Sequence, residues 1–201
     1  VQIPGDASAP TRGRSVYAVS ARNADIEARM KLFAQAKIPL RVIEIPEMAQ
    51  RNLAALLETD HRALAMLSFG DEGGLLTFSA RGELYLSRRI DVSREQLAHA
   101  AGDMREQMFE RVALELQRSL DHFDRQFSNV PVARLLLGPV PAEIGLRQYI
   151  AENLSAQVNN TQHVARGAGQ GSELAQMADL AHKVSLHRVV LPRQHKFQHL
   201  Q

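Results

Sequence analysis

The stretch from Ala63 to Asp91, ALAMLSFGDEGGLLTFSARGELYLSRRID, constrains the fold more than any other part of the chain. An apolar run from Ala63 to Phe69 ends in Gly70-Asp71-Glu72-Gly73-Gly74. A second run, Leu75 to Ser79, leads into the turn Ala80-Arg81-Gly82-Glu83, and Leu84-Tyr85-Leu86 follows. Short β-capable segments bounded by glycine-containing turns predict a three-stranded antiparallel meander. The first turn also has a functional reading. Consecutive glycines let the backbone come close to another group, and successive N–H groups in such a turn form an anion-binding nest. The simpler alternative is an ordinary hairpin with a flexible tip, and spacing alone favours it.

Upstream, Val16-Tyr17-Ala18-Val19 reads as a short strand. A helix opening at Asn23-Ala24-Asp25-Ile26-Glu27 follows, with Ile26, Met30 and Phe33 or Ala34 on one face. Lys37 to Pro39 ends that helix, and Leu40 to Ile45 alternates apolar and polar residues as a strand does. Pro46 suits the first turn of a helix, and Met48 to Leu57 is strongly helix-forming. The order is βαβα, most simply two parallel strands joined by a right-handed crossover. Downstream, Ser93 and Gln96 form a capping box. Leu97, Ala101, Met104, Met108, Val112, Leu116, Leu120, Phe123 and Phe127 then recur at helical spacing. They predict one long helix, or two collinear ones, packed on a sheet. Opposite them, Arg105, Glu106, Glu110, Arg111, Glu115, Arg118 and Arg125 are spaced for pairing along the helix. Ala133 to Leu137 is a buried-type strand, followed by Gly138-Pro139-Val140-Pro141 and an amphipathic helix from Ile144 to Leu154. A short helix, Ser172 to Ala181, and a strand, His187 to Leu191, are the only elements expected after Asn159.

At 201 residues, 45% of them hydrophobic, the chain can bury a substantial core. It has no apolar run of about 18 residues, so no membrane span is expected. Having no cysteine, it has neither disulfides nor thiolate chemistry, and this fits a cytosolic protein. A net charge of +2, seven phenylalanines, three tyrosines and no tryptophan give little to hold nucleic acid. The chain starts at Val1 and opens with IPGDASAPTRGR, which reads as a linker; the expectation is a fragment of a longer protein.

Three segments together, IPEMAQRNL from Ile45, GELYLSRRID from Gly82 and LELQRSLD from Leu114, resemble the pilus-assembly branch of the actin-like ATPase fold, the PilM family with its relative MshI. The resemblance covers Ser15 to Leu154. It implies an α/β chain that is a fragment of an actin-like (RNase H-like) fold. A βαβα unit would be followed by a three-stranded antiparallel meander, a long helix, a strand and a helix. Residues 1–14 would be a linker, 15–60 part of a first actin-like subdomain, 61–158 a second one, and 159–201 a segment of uncertain kind. The implied degenerate nucleotide-site positions are Gly70, Gly73, Gly74 and Gly138.

Within that family the first meander strand ends in an Asp-x-Gly phosphate motif whose Asp organises the metal. Here Ser68-Phe69-Gly70 stands in its place, and a hydroxyl cannot supply the charge that magnesium needs. Asp71 and Glu72 lie on the wrong side of the glycine. The family's adenosine-binding Gly-Gly pair is Gly138-Pro139 here, and proline removes an N–H and restricts close approach. The expectation is therefore no enzyme, no metal and no resident cofactor, with ATP binding reserved for a longer protein. The resemblance implies a cytoplasmic scaffold of a type IV, MSHA-type pilus machine, held at the inner membrane by the cytoplasmic N-terminal segment of a membrane partner. Exposed apolar surface would also drive homodimerisation. The other readings are an active actin-like ATPase and an unrelated regulatory binding domain.

Two further constellations are set aside. His163, His182, His187, His195 and His199 cluster near the end of the chain, and on a helix His195 and His199 would share a face. No carboxylate lies at useful spacing, and Pro192 argues against a helix, so a solvated basic tail is preferred. Arg88 and Arg89, with Arg81, could receive an acidic group, but consecutive strand residues point to opposite faces.

Overall fold

The computed structural model describes residues 3–4, 16–58, 62–140, 144–154, 158–160, 188–190 and 197–200. It divides into two compact units, Val1–Ala49 with Ala165–Gln201, and Gln50–Val164. The architecture is mixed α/β.

In the first unit, β1 (Val16–Val19) leads into α1 (Asn23–Gln35), then β2 (Val42–Glu44) and the start of α2 (Pro46–Ala55). The βαβα order is present. Arg22 grips the Asp25 carboxylate with two hydrogen bonds, 2.9 and 3.0 Å, in the first turn of α1, and Lys37 takes a left-handed φ of 55° just beyond the helix end. The strand partners differ from the expected parallel pair. β1 runs antiparallel to β9 (Phe197–Leu200), and β2 runs parallel to β8 (Arg188–Val190), in separate two-stranded sheets. Strands of four and three residues carry few ladder bonds, so segments far along the chain decide their pairing. The predicted apolar face of α1 is only partly covered. Ile26 and Phe33 are half-buried and Met30 is exposed.

The second unit is built on a five-stranded sheet in the order β5-β4-β3-β6-β7. β3 (Ala63–Gly70), β4 (Gly73–Ala80) and β5 (Glu83–Ile90) form the predicted antiparallel meander. β6 (Val132–Leu137) lies parallel to β3, as expected, and β7 (Val158–Asn160), which the sequence did not announce, lies parallel to β6. Every residue of β4 is buried, as a central strand covered on both faces should be. One face meets α2, where Ala54 packs with Leu64, Met66 and Leu136. The other meets α4 (Gly102–Gln126), whose Phe123 ring stacks on Phe78 at 4.8 Å. α5 (Leu146–Asn153) joins α4 through the Phe109–Tyr149 ring contact.

The long apolar stripe is realised as two helices. α3 (Arg94–His99) carries the predicted capping box, with Gln96 N donating to Ser93 Oγ at 3.1 Å and Ser93 N to Gln96 Oε1 at 2.7 Å. The chain then breaks at Ala100 and Ala101, and Gly102 adopts φ 52°. That break turns Ala101 and Met104 out to solvent, while Leu97, Val112, Leu116, Phe123 and Phe127 are buried as predicted. Phe109 and Ser119, which the stripe omitted, are buried with them.

The predicted helix from Ser172 to Ala181 lies outside the described residues, as do His163, His182, His187 and His195. His199 is described, and it sits in β9 rather than on a helix.

Candidate functional site

Ser68, Gly70, Gly73, Gly74 and Gly138 gather at one end of the five-stranded sheet. Gly70 pairs with Gly73 across the hairpin, and Gly74 faces Phe69 on one side and Ile90 on the other. Gly138 follows directly on β6, and its N–H donates to the Leu67 carbonyl at 2.7 Å. This is the end where β3 and β6 finish, which in α/β sheets is where ligands are received.

Each glycine has its own reason. Gly73 holds φ +117°, and a Cβ there would stand 2.8 Å from the Ile90 carbonyl oxygen. A Cβ on Gly74 would press at 3.1 Å on both Ile90 and Phe69, and one on Gly138 at 3.1 Å on Ser68 Cβ. These three glycines are required by packing of the protein on itself. Gly70 is different, since its Cβ would meet nothing nearer than the Gly73 carbonyl at 3.8 Å. Gly73 and Gly74 are buried strand residues rather than a flexible tip; the tip is Asp71-Glu72 alone. The Asp71 carboxylate is held outward by Arg94 at 2.8 Å, both groups well exposed.

The centre of this end is a closed polar network. The Gln50 carboxamide, buried to 5% exposure, reaches from α2 onto the sheet. Its Nε2 donates to the Met66 carbonyl at 2.6 Å, Thr77 Oγ1 at 2.9 Å and the Leu75 carbonyl at 3.2 Å. Ser68 Oγ donates to Gln50 Oε1 at 2.6 Å. Two amide protons therefore serve three acceptors, and the amide oxygen is taken by Ser68. The Ser68 hydroxyl proton is thus already given to another side chain. Sequence reasoning missed the roles of Gln50 and Thr77. The signal was available: Gln50 shares the helical spacing of Ala54 and Leu57, a polar residue on an otherwise apolar face.

The opposite end of the sheet is built by charged groups. Arg81 and Gly82 both take positive φ, 55° and 71°, the signature of a type I′ hairpin turn. Both sides of the Gly82 residue are gripped from α2 and its C-terminal extension. Arg51 donates to the Gly82 carbonyl at 2.6 Å, and the Gly82 N–H donates to Glu58 Oε2 at 2.9 Å. Arg134 of β6 donates to the Leu57 carbonyl beside them. Burial raises the nearby Tyr85 phenol above its ordinary pKa, Glu83 and Glu58 add to the rise, and Arg81 opposes it.

Among the described residues no three His, Asp or Glu side chains converge as metal ligands, and no helix is long and apolar enough to cross a membrane.

No protein-family model matches this chain. No curated protein matches it either. Among solved structures the chain is similar to a PilM–PilN type IV pilus biogenesis complex, with 13% identity and a TM-score of 0.45; the match covers 74% of this chain and 65% of that one. It is also similar to the Aquifex aeolicus member of the Ppx/GppA family, with 14% identity and a TM-score of 0.31, over 51% of this chain and 36% of that one. The chain thus spans less than two thirds of the length of either protein.

Proposed function

We propose that this chain is a non-catalytic binding domain of a type IV pilus assembly machine, PilM-like in kind and of the MSHA type, whose nucleotide site has degenerated. The observation that carries the reading is the Ser68–Gln50 hydrogen bond at 2.6 Å. A carboxylate at that position would hold a metal-bound water over the phosphates. A serine whose proton is committed to a buried carboxamide supplies no charge and no free donor. Pro139 directly after Gly138 supports the same conclusion, because it removes the second N–H of the adenosine turn. A well-packed core kept without catalytic groups is a fold kept for binding.

The partner in this reading is the cytoplasmic N-terminal segment of a single-span inner-membrane assembly protein, which would place the chain at the cytoplasmic face of that membrane. Titrating such a segment, made as a peptide, into the chain and into the longer protein tests this. Saturable binding by the longer protein is expected. Absence of binding to either would remove the pilus reading.

One observation favours a second reading, an ATP-binding actin-like domain: Gly70 is the one glycine at this end that packing does not require. A group approaching the chain there from outside would account for it.

A further inference from the structure

β5 lies at the open end of the sheet, and no described strand pairs with its outer side. Its order of faces is unusual. Phe78 of β4 stands opposite Leu86, and Ser79 stands opposite Leu84, so Tyr85 is the extra residue of a β-bulge. Ring contacts with Phe123 and Phe127 put Tyr85 on the α4 side, and Leu86 shares that side through Phe78. Arg88, opposite Leu76, and Glu83, opposite Ala80, fall on the same side by alternation. Leu84 and Ser87 face α2, since their partners Ser79 and Thr77 lie beside Leu64 and Gln50. From 83 to 88 the sides run α4, α2, α4, α4, α2, α4. The bulge has made the order a palindrome.

A palindromic edge can pair with itself. Two copies running antiparallel about a two-fold axis between Tyr85 and Leu86 oppose residues of the same side at every position, which a continuous sheet requires. Shifting that register by one or two residues in either direction opposes side chains from different faces. In the matching register Glu83 of each copy faces Arg88 of the other, twice in the dimer. Both residues are exposed, and neither side chain has a hydrogen bond or ion pair among the described residues. Opposite charges directly across a strand pair attract, and like charges repel.

We propose that β5 is a homodimerisation edge, at which a second copy of this chain extends the sheet with reciprocal Glu83–Arg88 pairs. The proposal stands apart from the pilus reading and does not need it. Bulges and edge arginines are also the common means of keeping strands apart. Their matched placement about one point distinguishes a pairing edge from a merely protected one.

Sedimentation equilibrium of the 201-residue chain over a range of concentrations tests it. A monomer–dimer equilibrium is expected for the unaltered protein. Glu83→Arg alone and Arg88→Glu alone each replace two attractive pairs by two repulsive ones and weaken the dimer about tenfold or more. An equimolar mixture of the two variants restores dimerisation, because each then meets its complement. The mixture also controls for folding, since a misfolded variant could not be rescued. A chain that stays monomeric, or a dimer that neither reversal weakens, overturns the proposal.

Discussion

The two ends of the five-stranded sheet solve the same problem, turning a hairpin tightly, by different means. At the Gly70–Gly74 end the chain removes side chains, so that Ile90, Phe69 and Ser68 come within van der Waals reach of bare backbone. At the Arg81–Gly82 end it adds them, and Arg51 and Glu58 hold the turn by its polar groups. The first end is closed by packing and has a neutral polar network inside. The second is half-buried and charged. Glycine clusters therefore do not identify a ligand site by themselves, because three of the four predicted here are explained by the protein's own contacts.

The largest effect expected from breaking this contrast comes at Gly73. Gly73→Ala sets a Cβ 2.8 Å from a carbonyl oxygen on a backbone with φ +117°, and should cost about 3 kcal/mol in denaturant unfolding. Gly70→Ala, three residues away, should stay within about 0.5 kcal/mol of the unaltered protein. Equal losses at the two positions would show that Gly70 too is held by packing.

Next comes the network. Gln50→Leu leaves Ser68, Thr77 and two carbonyls without their buried partner, so a loss of about 2 kcal/mol is expected. A neutral Gln50→Leu would mean that water serves those groups and that the closure at Ser68 is not real.

At the other end the sign reverses. Arg81 sits at φ 55°, where asparagine is better suited, so Arg81→Asn should stabilise by about 0.5 kcal/mol. A loss instead would reveal a contact of the Arg81 side chain that offsets its strain. The smallest effect is in pH. Burial raises the Tyr85 phenol, so the folded state prefers its neutral form. That contribution is intact below the unfolded phenol value of about 10 and declines as pH rises through the higher folded value. Unfolding followed across that range should show a steeper alkaline loss for the unaltered chain than for Tyr85→Phe.

Much of the second unit was legible in the sequence for a local reason. In the meander each strand's partner is its neighbour along the chain, and the turns that join them carry glycine at Gly73 and Gly82. The Ser93–Gln96 box is likewise complete within four residues. Legibility failed where partners are distant. Nothing in Val16–Val19 points to Phe197–Leu200, and a strand containing His199 and Gln198 lacks the alternation that marks strands in sequence. The candidate site divides along the same line. Its glycines were visible as a cluster, while their individual reasons depended on Ile90 and Ser68 across the sheet. Gln50 became meaningful only once α2 was laid over β3 and β4.

The central claim is that the Ser68 position is closed from within and that no nucleotide is held there. Isothermal titration of Mg-ATP into this chain, beside the Gly70→Val variant, tests it most directly. Gly70 is the fitting control, since a Cβ there meets nothing nearer than the Gly73 carbonyl at 3.8 Å. The account predicts no saturable heat from either protein. Saturable binding by the unaltered chain that Gly70→Val abolishes would contradict it.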